Sequence, residues 1–282
     1  MLKQRKNTNY TEKKVISIIE NYINNEIEGE RFSVSDIFEM NNSETGNDSI
    51  EQVIFASHGN IRRLINLFDL SMAESYKEHS DTLTVNKKDA VSAIMNHALA
   101  IESLFSDNEK IFLQKIVEAC RSRSTYRFRF PAMSPILYKY TNKSEEFNII
   151  NVDEVGSGRR GNTYSFDYAY CVLKNIPSHY ISGTEKLDKD RSLQNGTWVT
   201  RVTQLNQEII EQAELPGKIE GEIEFIKDGS GFVNSDDGSR YFFTESYIIE
   251  SDQNKPLFLK KRLRFYPNKM EDSKMAINIE VL

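Results

Sequence analysis

Cysteine is scarce: Cys120 and Cys171 are the only two in 282 residues, far apart and without a CxxC spacing. This excludes a disulfide-stapled scaffold and a thiolate metal cluster, and fits two buried thiols in a reducing cytoplasm. The four histidines, His58, His79, His97 and His179, show no ligand spacing, so no metal site is expected. His58, just before the Gly59 break, reads as a local cap. No run of about 18 apolar residues exists, which leaves no candidate membrane span. The basic start Met1-Leu-Lys-Gln-Arg-Lys6 is followed by no apolar leader core. No Ser/His/Asp or Cys/His constellation converges in a motif, so no catalytic residue is assigned and an enzyme is not expected. Internal repeats and low-complexity tracts are also absent.

What is present is enough apolar residue, 39%, for real cores, and 28% charged residues with a net charge of -6. The length suits two or three compact domains. The charge is uneven. Asp107 to Ile181 carries 11 Lys and Arg against 8 Asp and Glu, whereas Gly217 to Leu282 carries 10 against 12. The middle segment is the one positive part and the best candidate for contact with a phosphate backbone.

Residues 1 to about 105 read as helices. Thr11 is a cap for a helix through about Asn25, and Ser33 and Asp36 open a short one. Asp48 caps Ser49 to Ser57, which Gly59 stops. The helix Asn60 to about Lys77 carries the stripe Leu64, Ile65, Leu67, Phe68 and Met72, with Arg62, Arg63 and Asp69 largely off it. A last helix runs from about Asn86 to Phe105.

The next segment mixes two periods. Asn108 to Arg121 is an amphipathic helix, Tyr126-Arg-Phe-Arg-Phe130 alternates as a strand, and Pro135 to Tyr140 reads as a short helix. Asn148 to Val155 and Thr163 to Phe166 flank a turn at 156–162, and Asp167 caps a final helix through about Asn175. This is the element order of a winged helix, with Arg159 and Arg160 at the hairpin tip as either wing contacts to phosphate or a solvated turn. Arg127 and Arg129 share one strand face and present the same two choices. Residues 182–216 form a linker with a helix near Gln204 to Ala213, and Leu215-Pro-Gly217 marks a boundary.

Beyond it lie Gly221-Glu-Ile-Glu-Phe225, Gly229-Ser-Gly-Phe-Val233, Tyr241-Phe-Phe-Thr-Glu-Ser246, Lys261-Arg-Leu-Arg-Phe265 and Ala276-Ile-Asn-Ile279, alternating segments punctuated by Gly, Asp and Asn. They predict a small barrel built of hairpins. Phe225, Phe232 and Phe242 are either an outer face for stacking nucleobases or barrel core; Phe243 should point inward. Lys227, Lys260, Lys261, Arg262 and Arg264 are candidates to flank that face, Lys261 on one side of its strand and Arg262 with Arg264 on the other. Glu220, Glu222 and Glu224 share a face that reads as a solvent-facing edge.

These segments resemble the cold-shock domain, an OB-type barrel that binds single-stranded RNA or DNA. Residues 229–233 sit where that family has its first RNA-binding motif and 241–246 where it has its second. The resemblance implies base stacking by Phe225, Phe232 and Phe242. Ser230, Thr244 and Glu245 stand where the family has two aromatics and a histidine, and Glu245 adds negative charge near the implied phosphate path.

Ser57-His-Gly-Asn-Ile-Arg-Arg-Leu-Ile65 resembles the lid of AAA+ ATPases of the Orc/Cdc6 type, and Leu83-Thr-Val-Asn-Lys-Lys-Asp-Ala-Val91 the opening of its last helix. There Arg62 falls at the sensor-2 arginine, whose fork matches phosphate oxygens. No GxxxxGK[ST] is present to cradle a triphosphate. The resemblance therefore implies a C-terminal fragment of a longer P-loop ATPase, the favoured reading, or a core that lies on another chain, or a use of ATP that was lost. Asn148-Ile-Ile-Asn-Val-Asp-Glu154 imitates a Walker B strand and Gly156-Ser-Gly-Arg-Arg-Gly161 imitates GxGxxG. Both read better as a hairpin strand and its turn.

The expectation is an α+β multidomain chain: a helical lid-like bundle over 1–105, a winged helix over 106–181, a linker over 182–216, and a five-stranded OB-type, cold-shock-like β-barrel over 217–282. Its expected role is non-catalytic, cytoplasmic nucleic-acid binding, with duplex phosphates at the winged helix and single-stranded DNA or RNA at the barrel. No cofactor is expected in this chain, ATP entering only through a P-loop core supplied elsewhere. Such a core or a second copy of the chain are the candidate protein partners. The alternative is a protein-interaction module of an ATPase-containing assembly.

Overall fold

The computed structural model describes residues 14–25, 29, 31–39, 49–78, 84–131, 134–141, 148–156, 161–178, 202–211, 213, 215–270 and 273–282. The expected caps Thr11 and Asp48, the hairpin tip with Arg159 and Arg160, and His79 and His179 lie outside them. Two compact units divide the chain: Met1–Leu104 with Asp167–Glu185, and Phe105–Phe166 with Lys186–Leu282. No helix of the described residues is long and apolar enough to cross a membrane.

The first unit is helical. Residues 14–24 form α1, followed by α2 (Val34–Ile37), α3 (Ser49–Ser57), α4 (Ile61–Glu78) and α5 (Lys87–Glu102). After Ser57 the backbone turns left-handed at His58 (φ 50) and Gly59 (φ 78), which ends α3. Asn60 then caps α4, its Oδ1 accepting from the Arg63 amide at 3.0 Å. Asn86 caps α5 by accepting from the amides of Lys88 and Asp89. Leu64, Leu67 and Phe68 turn inward with Phe38, Val53, Ala90 and Ile94. Tyr168 and Ala169 of the helix Tyr168–Lys174 complete that core. The helix that the sequence puts at the end of the 106–181 segment therefore packs with the first unit. Arg63 differs from its expected place off the stripe: it is 2% exposed.

The second unit begins with α6 (Asp107–Ser122), capped by Ser106. Its buried stripe is Phe112, Leu113, Ile116, Val117 and Cys120. A four-stranded sheet follows, in the order β2-β3-β1-β4, from β1 (Arg127–Phe130), β2 (Ile150–Glu154), β3 (Asn162–Phe166) and β4 (Thr203–Gln204). β2 and β3 form the expected antiparallel hairpin. β4 runs parallel to β1, a pairing that no pattern in two residues announces. Between β1 and β2 a 3-10 turn, Pro135–Leu137, leads into α7 (Tyr138–Thr141). Aromatic pairs fill the space between helix and sheet, including Phe105–Tyr140, Phe112–Phe130 and Phe128–Tyr164.

The chain ends in a closed barrel of β5 (Ile219–Lys227), β6 (Ser230–Ser235), β7 (Arg240–Thr244), β8 (Arg262–Met270) and β9 (Ser273–Val281), in the order β5-β6-β7-β9-β8. Counted within the barrel, the order is first, second, third, fifth, fourth, with the third and fifth strands parallel. That is the OB-type closure the sequence predicts. Ile223, Val233, Phe243, Leu263, Phe265, Ala276 and Ile279 fill its interior. Tyr138 of α7 joins this core, and its hydroxyl lies 2.7 Å from that of Tyr241.

Candidate nucleic-acid interface

The outward faces of β5, β6 and β7 carry a row of phenyl rings. Phe232 stands opposite Phe242 across β6 and β7, and opposite Phe225 across β5 and β6. Alternation explains the first pairing: Val233, Tyr241 and Phe243 point in, so Phe232 and Phe242 point out. Their centroids are 5.7 Å apart with planes at 69°. Plain alternation would bury Phe225, because Ile223, two residues before, is buried. The register shifts instead between Ile223 and Phe225, a bulge that turns Phe225 outward to 48% exposure. Gly231 makes the bulge possible. A Cβ there would lie 2.0 Å from the Phe225 carbonyl oxygen.

The charges around this row are mixed. Lys227 is exposed two residues beyond Phe225, just before a tight turn in which Asp228 (φ 49) and Gly229 (φ 72) both have positive φ. The Glu245 carboxylate lies against Gly229, where a Cβ would meet its Oε2 at 2.9 Å. Arg240, which the sequence reading does not single out, places its guanidinium 4.1 Å from the Phe232 centroid. Its Nε is 2.8 Å from Glu224 Oε2. The exposed Phe258 is a second omission, since a Phe within Pro256-Leu-Phe-Leu259 reads as core. The amide of Lys260 donates to the Ile223 carbonyl and that of Ile223 to the Lys261 carbonyl, which sets this loop beside the bulge.

Other cations are engaged by carboxylates. Arg262 pairs with Glu220 and Asp236, and Arg264 with Glu220 and Glu280. Hydrogen bonds from Arg264 and Arg262 hold the Glu220 carboxyl below its usual range. Of the carboxylates expected to form a solvent edge, Glu220 thus partners both arginines, Glu222 lies 3.8 Å from Arg262, and Glu224 is the partner of Arg240. Lys261 lies 5.6 Å over the Phe258 ring.

The remaining candidates lie elsewhere. Arg127 and Arg129 are on β1, in the other sheet of the unit. Arg127 is held by Asp153 at 2.7 Å and Glu154 at 3.1 Å, while Arg129 is exposed. Asp153 and Glu154, the Walker-B-like pair, are therefore bound to an arginine, and Ser165 Oγ donates to Asp153 at 2.6 Å. At Gly156 a Cβ would lie 1.7 Å from the Gly161 carbonyl oxygen, so the two glycines meet where β2 ends and β3 begins. Arg62 is exposed in the first turn of α4, next to the buried Arg63. The structure thus gathers Phe225, Phe232, Phe242 and Lys227 on one face of the barrel. It places Arg127, Arg129 and Arg62 on other elements. Among the described residues no cluster of His, Cys, Asp and Glu is arranged to hold a metal ion.

No family model and no curated protein matches the chain. Among the solved structures that match is Drosophila Unr CSD456, with 22% identity over 28% of this chain and 31% of that one, at a TM-score of 0.22. The match thus spans less than a third of that chain. The OB-type topology is read from the barrel's own strand order and closure.

Proposed function

We propose that the barrel binds single-stranded nucleic acid, DNA or RNA, by stacking bases along the row Phe225, Phe232 and Phe242. One observation carries this reading: a bulge turns Phe225 out of the core and into line with two other outward rings. Phe225 is exposed beside the half-buried Phe232 and Phe242; an outward apolar row of this kind is costly unless a partner covers it, and flat rings suit bases of any sequence. The role is binding and not catalysis.

The cold-shock resemblance read from 229–233 and 241–246 supports the same ligand class. The proposal has two outer parts. In the first, a winged helix formed by the preceding sheet and helices grips duplex phosphates, with Arg129 as the exposed cation of β1. In the second, the helical unit acts as an ATPase lid toward a P-loop core elsewhere. A protein partner is the second reading, favoured by the carboxylates that close Arg262, Arg264 and Arg127.

The test is fluorescence anisotropy of the full chain with labelled single strands of about ten nucleotides. Phe225→Ala and Phe242→Ala should each weaken binding roughly 5- to 150-fold, the equivalent of about 1–3 kcal/mol per stacked base. With few unpaired cations at the row, the salt dependence should be shallow, with a log–log slope near that of about two phosphates. Absence of binding at low salt, or phenylalanine variants that bind like the parent, rejects the proposal in favour of a protein partner.

A further inference from the structure

Phe232, at the centre of the row, does not offer a free ring face on the side where Arg240 lies. The Arg240 Cζ is 4.1 Å from its centroid, which is contact distance. A base entering between them would need a gap of roughly twice the 3.4 Å base rise. A base arriving there therefore meets the guanidinium, not the ring.

Resting on the stacking reading above, we infer that Arg240 is itself a base-binding residue: its guanidinium, backed by Phe232, is the plane on which a nucleobase stacks. The guanidinium is flat and weakly hydrated, and bases stack on it as they do on aromatic rings. The Arg240 side chain is 54% exposed, so its outer surface is open.

The pairing with Glu224 decides between a base and a phosphate as the ligand at this point. The carboxylate lies 2.8 Å from Nε and offsets the positive charge, which makes Arg240 a poor phosphate anchor. A neutral base suffers no such repulsion. Glu224 contacts the Nε side, and the two Nη groups have no partner among the described residues. They lie in the guanidinium plane and so remain as donors for the edge of a neighbouring base, not of the base stacked on that plane. The bulge contributes again, because Glu224 is the residue inserted between the Ile223 and Phe225 pairings.

Arg240→Ala and Arg240→Lys, compared with the parent chain, test this with labelled single strands of DNA and RNA by anisotropy across a salt series. Both substitutions should weaken binding roughly 5- to 150-fold, because lysine keeps the charge but lacks the plane. The salt slope should stay that of the parent, since no phosphate contact is removed. The inference falls if Arg240→Lys binds like the parent, if Arg240→Ala lowers the salt slope by about 0.7, the mark of a phosphate contact, or if Arg240→Ala binds more tightly, the mark of a lid over Phe232. An unchanged Arg240→Ala also overturns it. If Phe225→Ala and Phe242→Ala weaken binding in the same series, only the role of Arg240 is lost; if they do not, or the parent fails to bind, the stacking reading fails with it.

Discussion

Arg63 and Asp167, 104 positions apart in the chain, meet in a buried bidentate pair, with Nη1 to Oδ2 at 3.1 Å and Nη2 to Oδ1 at 2.6 Å. Asp167 also accepts from the Ala169 amide at 2.9 Å and so caps the helix Tyr168–Lys174. The two side chains are 1% and 3% exposed. Removing one partner leaves the other charge buried without its counterion. Arg63→Met should therefore destabilise the first unit by about 3–5 kcal/mol. Urea denaturation measures this, and Arg63→Met with Asp167→Asn should recover part of the loss. A cost for the single variant under about 1 kcal/mol would contradict the burial of the pair.

His97 belongs to the same buried neighbourhood. Burial, then the positive charge of Arg63, push its imidazole down to about 4, with Asp167 opposing them. An unfolded histidine takes up its proton near pH 6.5. As pH falls from about 6.5 to about 4, the unfolded chain binds the proton and the folded chain does not. Folding stability should therefore decrease through that window, by up to about 1.4 kcal/mol per pH unit, and level off below it. Denaturation midpoints between pH 7 and pH 4 should fall more steeply for the parent than for His97→Gln. Equal slopes would show that His97 does not carry the effect.

The hydroxyls of Tyr138 and Tyr241 satisfy each other at 2.7 Å inside the second unit. Burial also pushes the Tyr241 phenol above its usual range. Tyr241→Phe removes this hydrogen bond and should cost about 0.5–1.5 kcal/mol. The double variant with Tyr138→Phe removes both polar groups while keeping the rings, so it should lie closer to the parent than either single variant. A double-mutant cycle by thermal denaturation reads this coupling, and strictly additive costs would count against it.

Much of this architecture is legible in the sequence because period and punctuation are local. The barrel strands follow from alternation and from the Gly, Asp and Asn breaks, and α3 to α6 follow from caps and apolar spacing. The outward Phe232 and Phe242 and the inward Phe243 follow from strand parity. Phe225 does not, because parity alone would bury it; its outward position depends on a bulge that forms only when β6 pairs with it. Long-range pairing also hides the fate of the charges. Nothing near Arg63 announces Asp167, nothing near Arg127 selects Asp153 and Glu154, and Arg240 reads as an ordinary edge cation until β6 brings Phe232 beneath it. Charge counted along a segment therefore overstates what is free to meet a phosphate.

Gly231 links backbone geometry to the candidate site. Its position faces the bulge, where a Cβ would lie 2.0 Å from the Phe225 carbonyl oxygen and 2.9 Å from its carbon. Both are backbone atoms, so no rotamer change relieves the clash, and β5 itself has to move. Gly231→Ala should cost about 1–3 kcal/mol in stability, as overpacking does. It should also weaken single-strand binding beyond what partial unfolding explains, because the shift displaces the backbone that aims Phe225. Thermal denaturation and oligonucleotide titration at a temperature where the variant is fully folded separate the two effects. Gly238→Ala is the control: Gly238 has nothing within 4 Å of its would-be Cβ, and its φ of 82 confines any strain to its own turn. It should lose stability while binding as the parent does. Equal binding by both folded variants would show that the bulge does not position Phe225 for a ligand.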